Sequence, residues 1–259
     1  LLCRGESLSA LYKLSEHLEK GSAHMAQVLS TIGFDADDTL WHNERFFQMT
    51  QAHFASLLAD FTDRSSLMQR LLAAEKRNLG HYGFGVKGFT LSMIETAIEV
   101  TAGKVSAPVI AEILDTGREM LRHPVDLLPH ARAAVEAARQ THRIVLITKG
   151  DLLDQERKLA QSGLGDLFHA VEIVSDKTPD IYSGIFERHG TGADRALMVG
   201  NSMRSDVLPM IDAGGWGVFV HHGHEWDFER AEAPPEDARY HALQSLGELS
   251  DLIAKIESR

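Results

Sequence analysis

From residue 130 onward, amphipathic stretches and short apolar runs take turns with little between them. A helical stretch at 130–140 precedes "RIVLIT" (143–148), and another at 152–162 precedes "AVEIVS" (170–175). Then 178–189 precedes "ALMVG" (196–200), and 204–213 precedes "GVFV" (217–220). The runs are too short for helices and read as strands. Strands that alternate with helices join through right-handed crossovers into a parallel sheet. A further apolar run, "VLSTIGF" (28–34), supplies the first strand. The predicted class is α/β, a parallel sheet with helices on both faces.

Between the first strand and the alternation lies a block of different character. Residues 44–122 place apolar side chains at three- and four-residue spacings, in "FFQMTQAHFASLLADF", "FTLSMIETAIEV" and "APVIAEILDTGREML". That is the periodicity of helices, so a helical unit at 44–123 interrupts a core formed by 28–43 and 124–259. "GHYGFGVKGF" (80–89), with four glycines beside Tyr82, Phe84 and Lys87, is read as a loop between helices. Residues 1–27 form a separate extension. Leu8, Leu11, Leu14 and Leu18 predict one amphipathic helix there, and "GSAHM" reads like a cloning scar before an initiator Met25, a natural extension being the equal alternative.

Composition narrows the function classes. No apolar run approaches the roughly 18 residues that span a bilayer, and the N-terminal stretch lacks the continuous apolar segment of a signal peptide. The lone Cys3 cannot form an internal disulfide, so a cytoplasmic setting is expected. Lys and Arg number 26 against 37 Asp and Glu, 26 − 37 = −11. That field opposes nucleic-acid phosphates and anionic membranes. It opposes small phosphorylated substrates as well, unless a metal ion or a local positive site offsets it.

In open parallel sheets, ligands bind beyond the carboxyl ends of the strands. Here those ends carry "FDADDT", "LITKG", "IVSDK" and "VGNSMRSD". Such a set suits hydrolysis of a phosphate monoester. Asp35 can serve as nucleophile and metal ligand, with Asp206 the second carboxylate on a Mg²⁺ ion that neutralises the approach. Asp37, two positions on, can protonate the leaving oxygen and then activate water. Thr148 offers a hydroxyl and Lys177 a compact cation for the transferring oxygens.

In order, "FDADDT", "VLIT", "SDKTPDIY" and "VGNSMRSD" resemble the four motifs of the haloacid dehalogenase superfamily over residues 28–220. The resemblance implies a Rossmann-like core and a C1-type helical cap. It also implies Asp35 as nucleophile, Asp37 as acid/base, and Mg²⁺ held by Asp35, the Asp37 carbonyl and Asp206. Asn201 stands where many relatives carry Asp and is kept as a metal-site residue through a bound water. Lys149 follows Thr148 where Asn is common, and is read either as a phosphate-binding cation or as a solvated lysine. Lys87 is the cap's candidate substrate contact, with a solvated side chain the alternative. Asp38 is read as structural, oriented to solvent or to the following turn. His221, His222 and His224 are read as rim or surface residues rather than a zinc site. The substrate expected is a small phosphorylated metabolite. The carbon–halogen hydrolases of the superfamily lack the second aspartate, so Asp37 speaks against that chemistry. A phosphomutase keeps it, and a catalytically silent binding module is the reading from another class. Oligomeric state stays open.

Overall fold

The computed structural model describes residues 28–223, 226–234 and 236–258, so the expected N-terminal helix lies outside the described residues. Six parallel strands form one sheet: β1 (Thr31–Phe34), β2 (Arg143–Lys149), β3 (Ala170–Val174), β4 (Ala196–Gly200), β5 (Trp216–Val220) and β6 (Tyr240–Leu243). Their order is β3-β2-β1-β4-β5-β6. β1 is therefore central, with Phe34 level with Leu146 on one side and Val199 on the other. The crossovers run outward in opposite directions from this point, which opens a crevice at the carboxyl ends of β1 and β4.

Alternate side chains feed opposite faces. Ile32 and Phe34 join a cluster with Val135 of α5 (Ala131–Arg139) and Ile253 of α9 (Leu249–Glu257). On the other face, Val145, Ile147 and Met198 pack against Tyr182 and Phe186 of α7 (Pro179–His189). Gly33 faces that side because a methyl there would come 2.9 Å from the Met198 sulfur and 3.0 Å from Phe186.

Four helices occupy the segment after β1: α1 (Glu44–Leu57), α2 (Arg64–Tyr82), α3 (Val86–Val100) and α4 (Ala107–Met120). They bury a cluster of their own, Phe54, Leu58, Leu67, Leu71, Phe89, Met93 and Ile113 among it. The glycine-rich stretch is mostly helix. α2 runs through Tyr82 and α3 begins at Val86, leaving a turn of Gly83–Gly85 in which both glycines hold positive φ. α6 (Leu152–Ser162) follows β2.

Two elements lie beyond the strands expected from sequence, β6 and α9. The helix expected over 204–213 is instead a wide π turn (Met203–Val207) followed by the short α8 (Leu208–Asp212). Pro209 explains the break. It has no N–H for the Ser205 carbonyl, which accepts from the Tyr182 hydroxyl at 2.9 Å instead.

Candidate active site

The chain leaves β1 with the Asp35 N–H donating to the Val199 carbonyl at 2.8 Å, then turns tightly through residues 36–41. Asp38 takes φ 60° in that turn, a conformation Asp tolerates better than most residues. Its carboxylate is buried and accepts the Asn43 and Glu44 backbone N–H groups, both at 2.8 Å. Burial raises its pKa to about 6 against the pull of those donors. Of the two orientations expected, solvent or the following turn, it takes the second, bonding the backbone that leads into α1.

Asp35 and Asp206 meet on one ammonium. Lys177 Nζ lies 2.6 Å from an oxygen of each, and all three groups are buried. Burial works against the Lys177 charge, but Asp206 and Asp35 outweigh it and hold its pKa above the ordinary lysine range. Burial pushes Asp35 up to about 7, with Lys177 pulling down and Asp206 pushing up. The second oxygen of Asp35 accepts from the Thr39 hydroxyl at 2.8 Å. The Asp206 side chain arises from the π turn and accepts the Ser202 N–H at 2.9 Å. A methyl on Gly200 would sit 2.1 Å from its oxygen, so only glycine leaves room there.

The remaining predicted residues are placed as follows. Asp37 accepts from the Trp41 indole at 2.7 Å, the Gln155 amide at 2.9 Å and Lys158 Nζ at 3.0 Å. Thr148 is buried at the end of β2 and accepts from the same Gln155 amide at 3.1 Å. The Asn201 amide oxygen accepts from Thr39 at 3.2 Å. Asp35, Asp37, Thr148, Lys149, Lys177, Asn201 and Asp206 all line one cavity. Lys87 does not line it; its half-exposed ammonium pairs with Asp151 at 3.2 Å.

Lys149 is committed elsewhere. Its ammonium lies 2.7 Å from both the Ser205 hydroxyl and Glu229, and 4.0 Å over the Phe84 ring. Burial raises the Glu229 carboxyl, but Lys149 and its hydroxyl donors bring it below the ordinary range. His222 approaches the Asp38 carboxylate at 3.7 Å and stacks obliquely against His42. The three form a group whose ligand atoms all lie within 4.8 Å of one another. His221 is exposed against Phe219, and His224 lies outside the described residues.

Sequence reasoning missed Thr39, Gln155, Lys158 and Glu229. Thr39 was readable as the last letter of "DADDT". Asp154 and Lys158 show the four-residue spacing of a helical ion pair, and they do approach to 3.5 Å. The Lys158 contact with Asp37, 121 positions away, leaves no local pattern.

The haloacid dehalogenase-like hydrolase family model matches residues 29–214. The chain belongs to the haloacid dehalogenase-like hydrolases. A haloacid dehalogenase-like hydrolase from Xanthomonas campestris shares 38% identity at a TM-score of 0.80, over 90% of this chain and 94% of that one. A pyrimidine 5'-nucleotidase of Escherichia coli, YjjG, is 31% identical over 134 residues, 49% of this chain and 57% of that protein. The L-2-haloacid dehalogenase of Xanthobacter autotrophicus shares the fold at 16% identity and a TM-score of 0.61, over 87% of this chain and 98% of that one. Among the described residues of this hydrolase, no helix is long and apolar enough to cross a membrane.

Proposed function

We propose that this hydrolase is a Mg²⁺-dependent phosphomonoesterase that works through an aspartyl phosphate on Asp35. The observation that carries the reading is the convergence of Asp35 and Asp206 on the buried Lys177, with Asp37 lining the same cavity. The donor set of Asp35, Asp206, the Asn201 amide and the Asp37 carbonyl is all oxygen. Such a set suits a hard cation of the Mg²⁺ class rather than a soft metal. When bound, the ion would neutralise the phosphoryl oxygens and hold Asp35 in line.

The chain's own residues account for the rest. An Asp35 oxygen attacks phosphorus, and the bond to the ester oxygen breaks. Asp37 gives that oxygen its proton, then takes one from the water that attacks the phosphorus of the acyl phosphate and frees Asp35 and inorganic phosphate. Trp41, Gln155 and Lys158 fix the position of Asp37. Lys177 and the Thr148 hydroxyl hold charge on the transferring oxygens.

The substrate is a small phosphorylated metabolite, and the likeness to a pyrimidine 5'-nucleotidase puts nucleoside monophosphates among the compounds to assay. The test is phosphate release with Mg²⁺ and with excess chelator, followed by acid quench and peptide mapping. Label on Asp35 and loss of turnover in chelator are expected. Full activity in chelator, or label on another residue, refutes the mechanism. Halide release from a 2-haloacid without phosphate release would place the chain with the dehalogenases.

A further inference from the structure

The cavity does not end at the carboxylates; it runs on between α1, α2 and α3. On α2 the inward stripe begins as helical spacing requires, with Leu67, Leu71 and Ala74 buried. One turn further the same stripe carries Glu75 and Asn78, both only 8% exposed and both lining the cavity. Buried acids are kept out of apolar surroundings unless paired. Glu75 makes no ion pair with any described residue, and the Trp226 indole, across on the core side, is the donor that draws its pKa down. Asn78 spends its amide nitrogen on Ser92 at 3.1 Å and Glu95 at 2.7 Å, which leaves its carbonyl oxygen to offer.

The walls around these groups are aromatic. Phe47 and Phe89 lie with ring centres 4.9 Å apart, and Phe84 meets Trp226 edge-on at 6.3 Å. All four line the cavity. Flat apolar faces and a carboxyl group lining the same cavity fit a flat ligand that hydrogen-bonds through its edge. A carboxyl that holds its proton offers one donor and one acceptor side by side. Burial raises Glu75 to about 7, so that form is well populated at neutral pH. Its complement is an amide edge, an N–H beside a carbonyl. A quaternary ammonium would suit the aromatic walls too, but it has no use for the Asn78 carbonyl or for a protonated acid.

We propose that the cap end of the cavity is a subsite for a planar, uncharged heterocycle on the substrate's leaving group, a uracil-type nucleobase, and that Glu75 reads its amide edge. This rests on the phosphomonoesterase reading for its catalytic consequence, though not for binding itself. The base would lie at the cap while the phosphate meets Asp35, Lys177 and Asp206 at the other end of the same cavity. Glu75 never touches the reacting atoms; it sets specificity through remote binding.

The test uses Glu75→Met, which keeps size and removes both hydrogen-bonding atoms, and Glu75→Gln, which keeps an edge with fixed donor and acceptor. Phosphate release is measured from uridine 5'-monophosphate, ribose 5-phosphate, phosphocholine and p-nitrophenyl phosphate. Uridine 5'-monophosphate should be the best of the four. Glu75→Met should lower its kcat/KM about 10- to 100-fold, in KM more than kcat, and leave ribose 5-phosphate within about 3-fold. Glu75→Gln should retain part of the preference. Equal losses on all four esters, no loss on any, or a wild-type preference for phosphocholine overturns the proposal. Calorimetric binding of uridine, which has no phosphate, to the Asp35→Asn protein separates this reading from the catalytic one. Uridine bound, and lost with Glu75→Met added, supports the subsite even if no ester is cleaved. No uridine binding overturns it even if the esters are.

Discussion

Lys177→Met is the perturbation that tests the centre of the site most directly. The Lys177 side chain is 1% exposed and holds two carboxylate oxygens at 2.6 Å each. Methionine fills much of the same volume but leaves Asp35 facing Asp206 with no counter-charge between them. Removing one partner of a buried ion pair costs about 3–5 kcal/mol. For a chain of this length each kcal/mol moves Tm by about 2–4 °C, so Tm should fall by about 6–20 °C in chelator. The low end is the better expectation, because burial already places Asp35 at about 7 and it can take up a proton. The second variant separates charge from packing. In Lys177→Met/Asp206→Asn the facing charge is gone, and at least half of the lost stability should return. Millimolar Mg²⁺ should stabilise Lys177→Met more than wild type, since a cation bound to the folded state alone adds stability by mass action. Thermal and urea unfolding followed by circular dichroism give all these values. A single mutant within about 2 °C of wild type in chelator, or a double mutant no more stable than the single, would refute the electrostatic account of the triad.

Glu257 accepts the Val28 and Leu29 N–H groups at 2.7 and 2.8 Å and contacts His142, tying α9 to the start of β1. Glu257→Ala should therefore cost about 1–2 kcal/mol, since water reaches the site and replaces part of the loss; an unchanged urea midpoint would contradict this. Glu75, raised from 4.5 to about 7 by burial, favours the folded state fully below its unfolded pKa and loses that contribution as pH rises toward 7. Glu75→Gln should thus gain on wild type by on the order of 2–3 kcal/mol between pH 4.5 and pH 8, and a gap that does not change with pH would rule out the buried acid. Gly200→Ala drives a methyl into the Asp206 carboxylate and should lower phosphate release roughly 10²-fold or more while far-ultraviolet circular dichroism is kept; near-normal turnover would show that Asp206 can be moved freely.

The legible parts of the fold are those written in local pattern. Apolar runs that end abruptly in polar clusters mark β1, β2, β3 and β4, and the same endings mark the candidate active site. β6 escapes because "YHAL" is a short edge strand with one buried side chain and no alternation. The π turn depends on Pro209 and Tyr182, residues that signal little until the Ser205 carbonyl is seen to join them. α9 differs in kind, since Leu249, Leu252, Ile253 and Ile256 carry the spacing of a buried helical face; the signal is in the sequence beyond the last strand assigned from it. In the site, the residues after the strand ends line one cavity, whereas the partners of the lysines are not legible. Lys149 meets Glu229 from 80 positions away, and Lys158 meets Asp37 from 121. Lys87 shows the reverse: a cation beside glycines and aromatics is taken up by Asp151, a nearby rim carboxylate.

Those pairings bear on how a phosphate could enter at all. Lys177 is shared by Asp35 and Asp206, Lys158 by Asp37 and Asp154, and Lys149 pairs with Glu229. Among these paired groups, three ammoniums against five carboxylates give a formal 3 − 5 = −2 where the proposed mechanism would bind a dianion. The chain as a whole, at −11, adds to the repulsion. Each lysine in this set is already paired, so turning one fully to the ligand would leave a carboxylate without its counter-charge, and the lysines alone do not neutralise the site. A divalent cation brings the count of these paired groups to zero, and its binding and that of phosphate should then be strongly and reciprocally coupled. Inorganic phosphate should raise Tm in the presence of Mg²⁺ and leave it unchanged in chelator. The Mg²⁺ concentration needed for half its effect should fall as phosphate is added. Phosphate that stabilises the metal-free protein equally well would mean that one of the three lysines leaves its partner, and the charge count would have to be redrawn around that lysine.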